Sequence, residues 1–105
     1  MTWFKLAGEG AFHAKVLMAG NEAYGAWCRG GQWSSEHLTE GFLPEVAALL
    51  IGPAKLWAKL RDAKPPGHDH GLVDEVPGGW QIHDYLDWNP SRAAAEQNRA
   101  GLALK

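Results

Sequence analysis

The chain of 105 residues has a single cysteine, Cys28, and no apolar run near the roughly 20 residues that a membrane-spanning helix needs. One cysteine excludes an internal disulfide framework and suits a reducing compartment. The start of the chain, MTWFKLAGEG, carries one lysine and has no apolar segment of signal-peptide length. We therefore expect a soluble, cytoplasmic protein without a membrane partner.

The chain also lacks an excess of basic charge. Ten Lys and Arg residues stand against twelve Asp and Glu residues, which gives a formal net charge of −2 at pH 7. Proteins that coat nucleic acid without regard to sequence are usually basic, so this composition disfavours that class. A local basic patch remains compatible with the composition, because net charge averages over every face of a protein.

Groups that could carry catalysis are few. The sequence has no glycine-rich loop of the nucleotide-binding type. Cys28 falls on the apolar face of a tryptophan-rich segment, where a structural thiol is favoured over a nucleophile. Asp84 and Asp87 lie three residues apart and have no evident acid–base partner. We expect a protein that is not an enzyme and that uses no cofactor.

A histidine-containing loop, KPPGHDHG, is the candidate for metal ligands. Its residues His68 and His70 are two apart, and His83 could lie close to them. Zinc sites usually need three or four ligands with an ordered second shell. A solvated polar loop is therefore the default interpretation, and no metal is expected.

Six tryptophans are abundant for so short a chain, and they supply large anchors for the core of one compact domain. The N-terminal part predicts a short strand at residues 2–6, a helix at 11–20 and a second helix at 21–31. Gly30 and Gly31 are the expected end of the second helix, so the polar stretch QWSSEHLTEG that follows predicts a connection.

A pair of helices is predicted in the middle of the chain. The first covers residues 42–52, with Pro44 in its first turn, and it should be central because it is almost wholly apolar from Val46 to Ile51. A break at Gly52-Pro53 leads into a fourth helix at residues 53–64. Two short helices joined by so brief a turn are a helix-turn-helix candidate.

The fourth helix has two distinct faces at about 100° per residue. Its core side consists of Leu56, Leu60 and Ala63, with Trp57 at the margin. Its outer face consists of Lys55, Ala58, Lys59 and Asp62, with Arg61 beside it. Spacing alone favours a surface helix with solvated lysines. The sharper alternative is a recognition helix whose outer face meets DNA, although Asp62 would repel a phosphate.

Residues 72–86 predict an antiparallel β-hairpin that turns at Pro77 to Gly79. Alternation along LVDEV and WQIHDYL supports it, and helix anywhere in that span would remove the winged-helix interpretation. Three of its side chains are expected to pack inward, namely Trp80, Ile82 and Tyr85. Three others are expected at its solvent side and end, namely His83, Asp84 and Asp87.

A helix-turn-helix pair followed directly by a hairpin is the layout of a winged helix. The expected fold class is therefore α+β, a mostly helical winged helix with a C-terminal hairpin wing. We expect residues 1–92 to form this domain and residues 93–105 to form a polar C-terminal helix or tail.

Three stretches, TWFKL, AGNEAYGAWCRGGQWSS and GLVDEVPGGWQIHDYLDWNPSR, resemble the N-terminal winged-helix domain of phage replisome organisers and related small proteins of actinobacterial phages and prophages. The resemblance covers nearly all of residues 2–92, and W-x-I-H-D-Y-x-D-W-N-P-S-R is its most specific part. It implies a domain that binds DNA, or another replication protein, at an origin. In this chain KPPGHDH intervenes before GLV.

The favoured hypothesis is a winged helix that binds double-stranded DNA in phage or prophage replication initiation or its control. Lys55 and Lys59 would approach the major groove, with Arg61 beside them. Lys64 and Arg92 would contact flanking phosphates.

The alternative hypothesis is a winged-helix module for protein–protein interaction. An exposed tryptophan such as Trp88, together with the acidic wing, would dock a replication or host protein. Because one fold serves both roles, the surface of the protein has to decide between them.

Overall fold

A computed structural model describes Phe4, residues 13–89 and residues 91–103. The strand predicted at residues 2–6 lies outside the described residues except for Phe4. The described elements are α1 (Ala14–Ala19), α2 (Asn21–His37), β1 (Phe42–Pro44), α3 (Glu45–Ile51), α4 (Ala54–Asp62), β2 (Val73–Val76), β3 (Gly79–Ile82), α5 (Tyr85–Trp88) and α6 (Arg92–Ala103). The expected class, α+β and mostly helical, is confirmed. Among these helices none is both long and apolar enough to cross a membrane.

The three strands form one antiparallel sheet in the order β1-β3-β2. Trp80 in the central strand pairs with Leu43 on one side and with Glu75 on the other. Pro77 and Gly78 make the turn, and Gly78 has the positive φ of 85° that such a turn requires of one residue. The predicted hairpin is therefore present over residues 73–82.

The predicted extent of the hairpin is wrong at its C-terminal end. Asp84 adopts a left-handed conformation with φ 58°, which turns the chain out of the strand, and Tyr85–Trp88 form one helical turn. The expectation of no helix between residues 72 and 86, on which the winged-helix interpretation was made to depend, is therefore wrong at Tyr85 and Leu86, while the hairpin itself is present. Tyr85 is nevertheless buried, as are Trp80 and Ile82, because the helical turn folds its ring back onto the core.

Strand β1 replaces the predicted start of the third helix. The residue before a proline is biased away from helical geometry, which places Leu43 in the β region ahead of Pro44. The strand covers the free edge of β3, and the Glu45 N–H then donates to the Gly78 carbonyl oxygen at 3.0 Å. Helix α3 begins only at Glu45.

The predicted end of α2 at Gly30 and Gly31 is wrong, because the helix continues to His37. Both glycines are buried and serve close packing instead. A Cβ atom on Gly30 would lie 2.8 Å from Leu43 and 2.9 Å from Trp57, and one on Gly31 would overlap the ring of Phe4. Glycine lets neighbouring elements approach this helix more closely than any other residue would.

The prediction that α3 is central is also wrong. Of its residues only Ala47 and Ala48 are buried, and these small side chains face the rest of the fold. Val46 is 73% exposed and Leu50 84% exposed, and Leu49 is half-exposed. Helix α3 is thus a surface helix that presents an apolar outer face.

Trp57 is the centre of the core rather than a margin residue. It is fully buried, and its indole Nε1 donates to the Ala48 carbonyl oxygen of α3 at 2.8 Å. Its ring lies 6.4 Å from that of Trp80 in the sheet. Leu60, one turn further along α4, is fully buried as well, so the predicted burial of both residues is confirmed.

Leu60→Ala should destabilise the protein by about 2 to 5 kcal/mol, because it removes a fully buried side chain and leaves a cavity. Leu50→Ala is the matched control, since the same atoms are removed from a side chain that is exposed. Its effect should stay within about 0.5 kcal/mol. Urea unfolding of both variants checks the prediction. Equal destabilisation would show that the orientation of α4 is wrong.

Candidate functional site

The outer face of α4 carries two free lysines. Lys55 and Lys59 are exposed, lie one helical turn apart, and form no ion pair with any residue that the structure describes. The opposite side of the helix holds the buried Leu56, Trp57 and Leu60. Burial of that side fixes the rotation of α4, so both lysines must face solvent.

A two-residue turn, Gly52 and Pro53, joins α3 to α4. The buried Gly52 donates its N–H to the Ala48 carbonyl oxygen at 3.0 Å, which closes α3. Pro53 precedes α4 with a φ of −66°, and its carbonyl oxygen accepts from the Leu56 N–H at 2.9 Å. The turn therefore holds the lysine-bearing helix directly against its predecessor.

Arg61 is committed to the protein itself. Its guanidinium donates to Asp62 and to Glu75 of β2, each at 2.8 Å, and lies 5.9 Å from the centroid of the Trp80 ring. The bonds to Asp62 and then Glu75 raise the pKa of Arg61, and the bond from Arg61 lowers the pKa of Asp62. Arg61 thus ties α4 to the hairpin, a role the sequence did not indicate.

The two remaining predicted contacts lie in different places. Lys64 is exposed just beyond the end of α4, and its positive charge helps to lower the pKa of Asp62. Arg92 begins α6 and pairs through Nε with Glu96 at 3.0 Å, with both side chains exposed. Lys55 and Lys59 therefore lie on α4, and Lys64 follows its end. Arg92 belongs to a different helix, α6.

A second cluster lies at the open end of the hairpin. Asp74 of β2 accepts from His70 Nδ1 on one carboxylate oxygen and from His83 Nδ1 on the other, each at 3.0 Å. Burial of Asp74 opposes its charge, yet the hydrogen bonds from both histidines outweigh burial and lower its pKa. We refer to His70, Asp74 and His83 as the wing-base cluster. His68 is not part of it; its ring stacks edge-on with His13, 6.0 Å away.

The register of the hairpin could have revealed this cluster. Val73 pairs with Ile82, and both side chains are buried. Successive side chains alternate between the faces of a strand, so Asp74 and His83 share the opposite face as diagonal neighbours. The position of His70 depends on the path of the loop, which no periodicity encodes.

Three side chains considered as catalytic groups in the sequence, Cys28, Asp84 and Asp87, lie in different surroundings. Cys28 is half-buried; burial raises the pKa of its thiol, and a hydrogen bond with Tyr24 opposes this only in part. A thiol with a raised pKa is a weak nucleophile at neutral pH. Asp84 lies 3.3 Å from His83 Nε2, and Asp87 is exposed. The structure describes the backbone of Trp88 but not its side chain.

No protein-family model, no curated protein and no solved structure matches this chain.

Proposed function

We propose that this protein is a winged helix that binds double-stranded DNA through the outer face of α4. The order α2-β1-α3-α4-β2-β3, with β1 beside β3 in one sheet, supports this fold. In such domains the second helix of the helix-turn-helix enters the major groove. Helix α4 holds that position, and the hairpin holds the position of the wing.

The observation that carries the proposal is the arrangement of Lys55 and Lys59. Both are exposed and unpaired among the described residues, while the reverse of their helix is sealed in the core. Free ammonium groups one turn apart can each neutralise a phosphate without breaking an existing ion pair. That releases counterions from DNA, which drives most of the electrostatic part of binding.

The acidic residues near α4 are less adverse than the sequence suggests. Asp62 shares its charge with Arg61, which also neutralises Glu75. Arg61 would have to exchange these carboxylates for phosphates, so it should contribute less to affinity than either lysine. Lys64 and Arg92 are proposed to contact flanking phosphates, and Arg92 would first have to leave Glu96.

The replication setting of this proposal rests on the resemblance to phage replisome organisers. Within that setting, the DNA would be an origin or a control site, and the protein would act in the initiation of phage or prophage replication. A role at DNA and a single cysteine both fit a cytoplasmic location.

Removal of both lysines should weaken duplex binding and flatten its salt dependence. In Lys55→Ala/Lys59→Ala, the slope of log affinity against log salt should shrink by about 0.9 for each lysine removed. Fluorescence anisotropy with duplex DNA across a salt series measures this slope. The fold should be unchanged, because neither side chain faces the core.

Arg29→Ala is the control for the single variant Lys59→Ala. Arg29 is an exposed cation on α2, away from α4 in the sequence. Arg29→Ala removes one positive charge, as Lys59→Ala does, but it should leave the slope of log affinity against log salt unchanged. If the double alanine variant binds with the parent's affinity and slope, α4 is not the DNA-binding element.

Asp62→Asn should tighten duplex binding modestly, by less than about tenfold, because it removes a negative charge beside the phosphates and frees Arg61 from one of its two carboxylates. Asp69→Asn changes net charge identically in an exposed loop and should have a smaller effect. Anisotropy titrations at one low salt concentration compare the two. Equal tightening would mean that net charge alone, and not the face of α4, controls affinity.

The apolar outer face of α3 favours a second candidate function, the docking of a replication or host protein. Val46, Leu49 and Leu50 are at least half-exposed there, and exposed apolar side chains that adjoin one another mark interaction sites. Val46→Ser/Leu50→Ser should then abolish co-purification with such a partner, while Lys55→Ala/Lys59→Ala should retain it. The reverse pattern would assign the interaction to α4.

A further inference from the structure

We propose that the wing-base cluster is a binding site for a divalent transition-metal ion of the zinc class. The ligands are His70 Nδ1, one carboxylate oxygen of Asp74, and His83 Nδ1. One candidate ligand atom from each residue lies within 4.8 Å of the other two. The two Nδ1 atoms are each 3.0 Å from Asp74, on different carboxylate oxygens. In a tetrahedral zinc site with bonds of about 2.0–2.1 Å, neighbouring ligand atoms are roughly 3.3 Å apart. Binding of the ion would draw the three ligand atoms together from separations of up to 4.8 Å.

The donor set selects the class of ion. Two imidazole nitrogens and one carboxylate oxygen suit zinc and its neighbours in the first transition row. Magnesium and calcium prefer ligand sets made wholly of oxygen, so they should bind much more weakly. Among divalent ions of the first transition row, zinc generally binds nitrogen and oxygen ligands more tightly than manganese does, so Zn²⁺ should bind this site more tightly than Mn²⁺.

His83 has a carboxylate beside each of its ring nitrogens. Its Nδ1 faces Asp74 at 3.0 Å, and its Nε2 faces Asp84 at 3.3 Å. A neutral imidazole has one N–H, so it cannot donate to both carboxylates. With an ion at Nδ1, the Nε2–H remains to donate to Asp84. Donation from the second nitrogen to a carboxylate is the usual way in which proteins orient a metal-binding histidine.

The imidazole rings of His70 and His83 are parallel to each other. The imidazoles of His70 and His83 stack with a centroid distance of 4.5 Å and an interplanar angle of 13°. This parallel arrangement directs both Nδ1 atoms toward the same carboxylate. Three separate segments of chain meet here, namely the loop after α4, strand β2 and the residue after β3. An ion would therefore join the loop to both strands of the hairpin.

The site remains open on one side. A depression of about 290 Å³ lies beside it, lined in part by Asp74, His83 and Asp84. Water from this depression can occupy the coordination position that the protein leaves vacant. Three protein ligands and one exchangeable water make a reversible site, in contrast to structural zinc sites with four protein ligands. The ion would stabilise the hairpin against the loop when it is bound.

The test uses the full-length chain without a histidine tag, stripped of metal, and titrated with Zn²⁺ in isothermal titration calorimetry. We expect one ion per chain and a higher melting temperature with Zn²⁺ than with Mg²⁺. Co²⁺ should give the visible absorption of a four-coordinate site. Asp74→Asn keeps the shape of the side chain and should abolish binding. His70→Ala should do the same, and it should fold because His70 is exposed.

His68→Ala is the matched control, because it removes an exposed histidine two residues away that lies outside the cluster. It should bind Zn²⁺ as the parent does. Asp84→Asn should weaken binding by roughly ten- to a hundredfold through the loss of orientation of His83. The proposal is overturned if the parent binds no Zn²⁺ with a one-to-one ratio. It is equally overturned if His68→Ala loses as much affinity as His70→Ala, which would indicate casual binding by loop histidines.

Discussion

The hydrogen bond from the Trp57 indole to the Ala48 carbonyl oxygen, 2.8 Å long and buried, joins α4 to α3. The same ring packs on Gly30 of α2, which has no side chain in the way, and beside Trp80 of the sheet. Because so large a side chain fits in one orientation, it fixes the rotation of α4 about its axis. The exposure of Lys55 and Lys59 follows from that constraint.

Electrostatics then divides the charged residues of this surface into two groups. Arg61 bridges Asp62 and Glu75 and so belongs to the frame that joins α4 to the hairpin. Lys55 and Lys59 form no ion pair with the described residues, so both are available to a ligand. A chain of net charge −2 can therefore present a local cationic face, because its acidic groups near α4 are already engaged.

Local patterns predicted the parts of the fold that depend on one element at a time. The period of α4 gave its two faces, and the alternation around Pro77 and Gly78 gave the hairpin. Contacts between distant segments were not predictable in this way. In the sequence Gly30 is typical of a helix end, but in the structure it makes room for Leu43 and Trp57. The apolar sequence of α3 is typical of a core helix, but Leu50 is exposed. The wing-base cluster likewise depends on a loop path that has no period.

The central claim is that the outer face of α4 is where duplex DNA binds. It is tested most directly by the amide chemical shifts of the ¹⁵N-labelled protein during titration with duplex DNA. We expect the largest changes at residues 54–64, with smaller changes at the hairpin turn, Pro77 excepted because it has no amide proton. Changes confined to the outer face of α3, or no changes at all, would contradict the account.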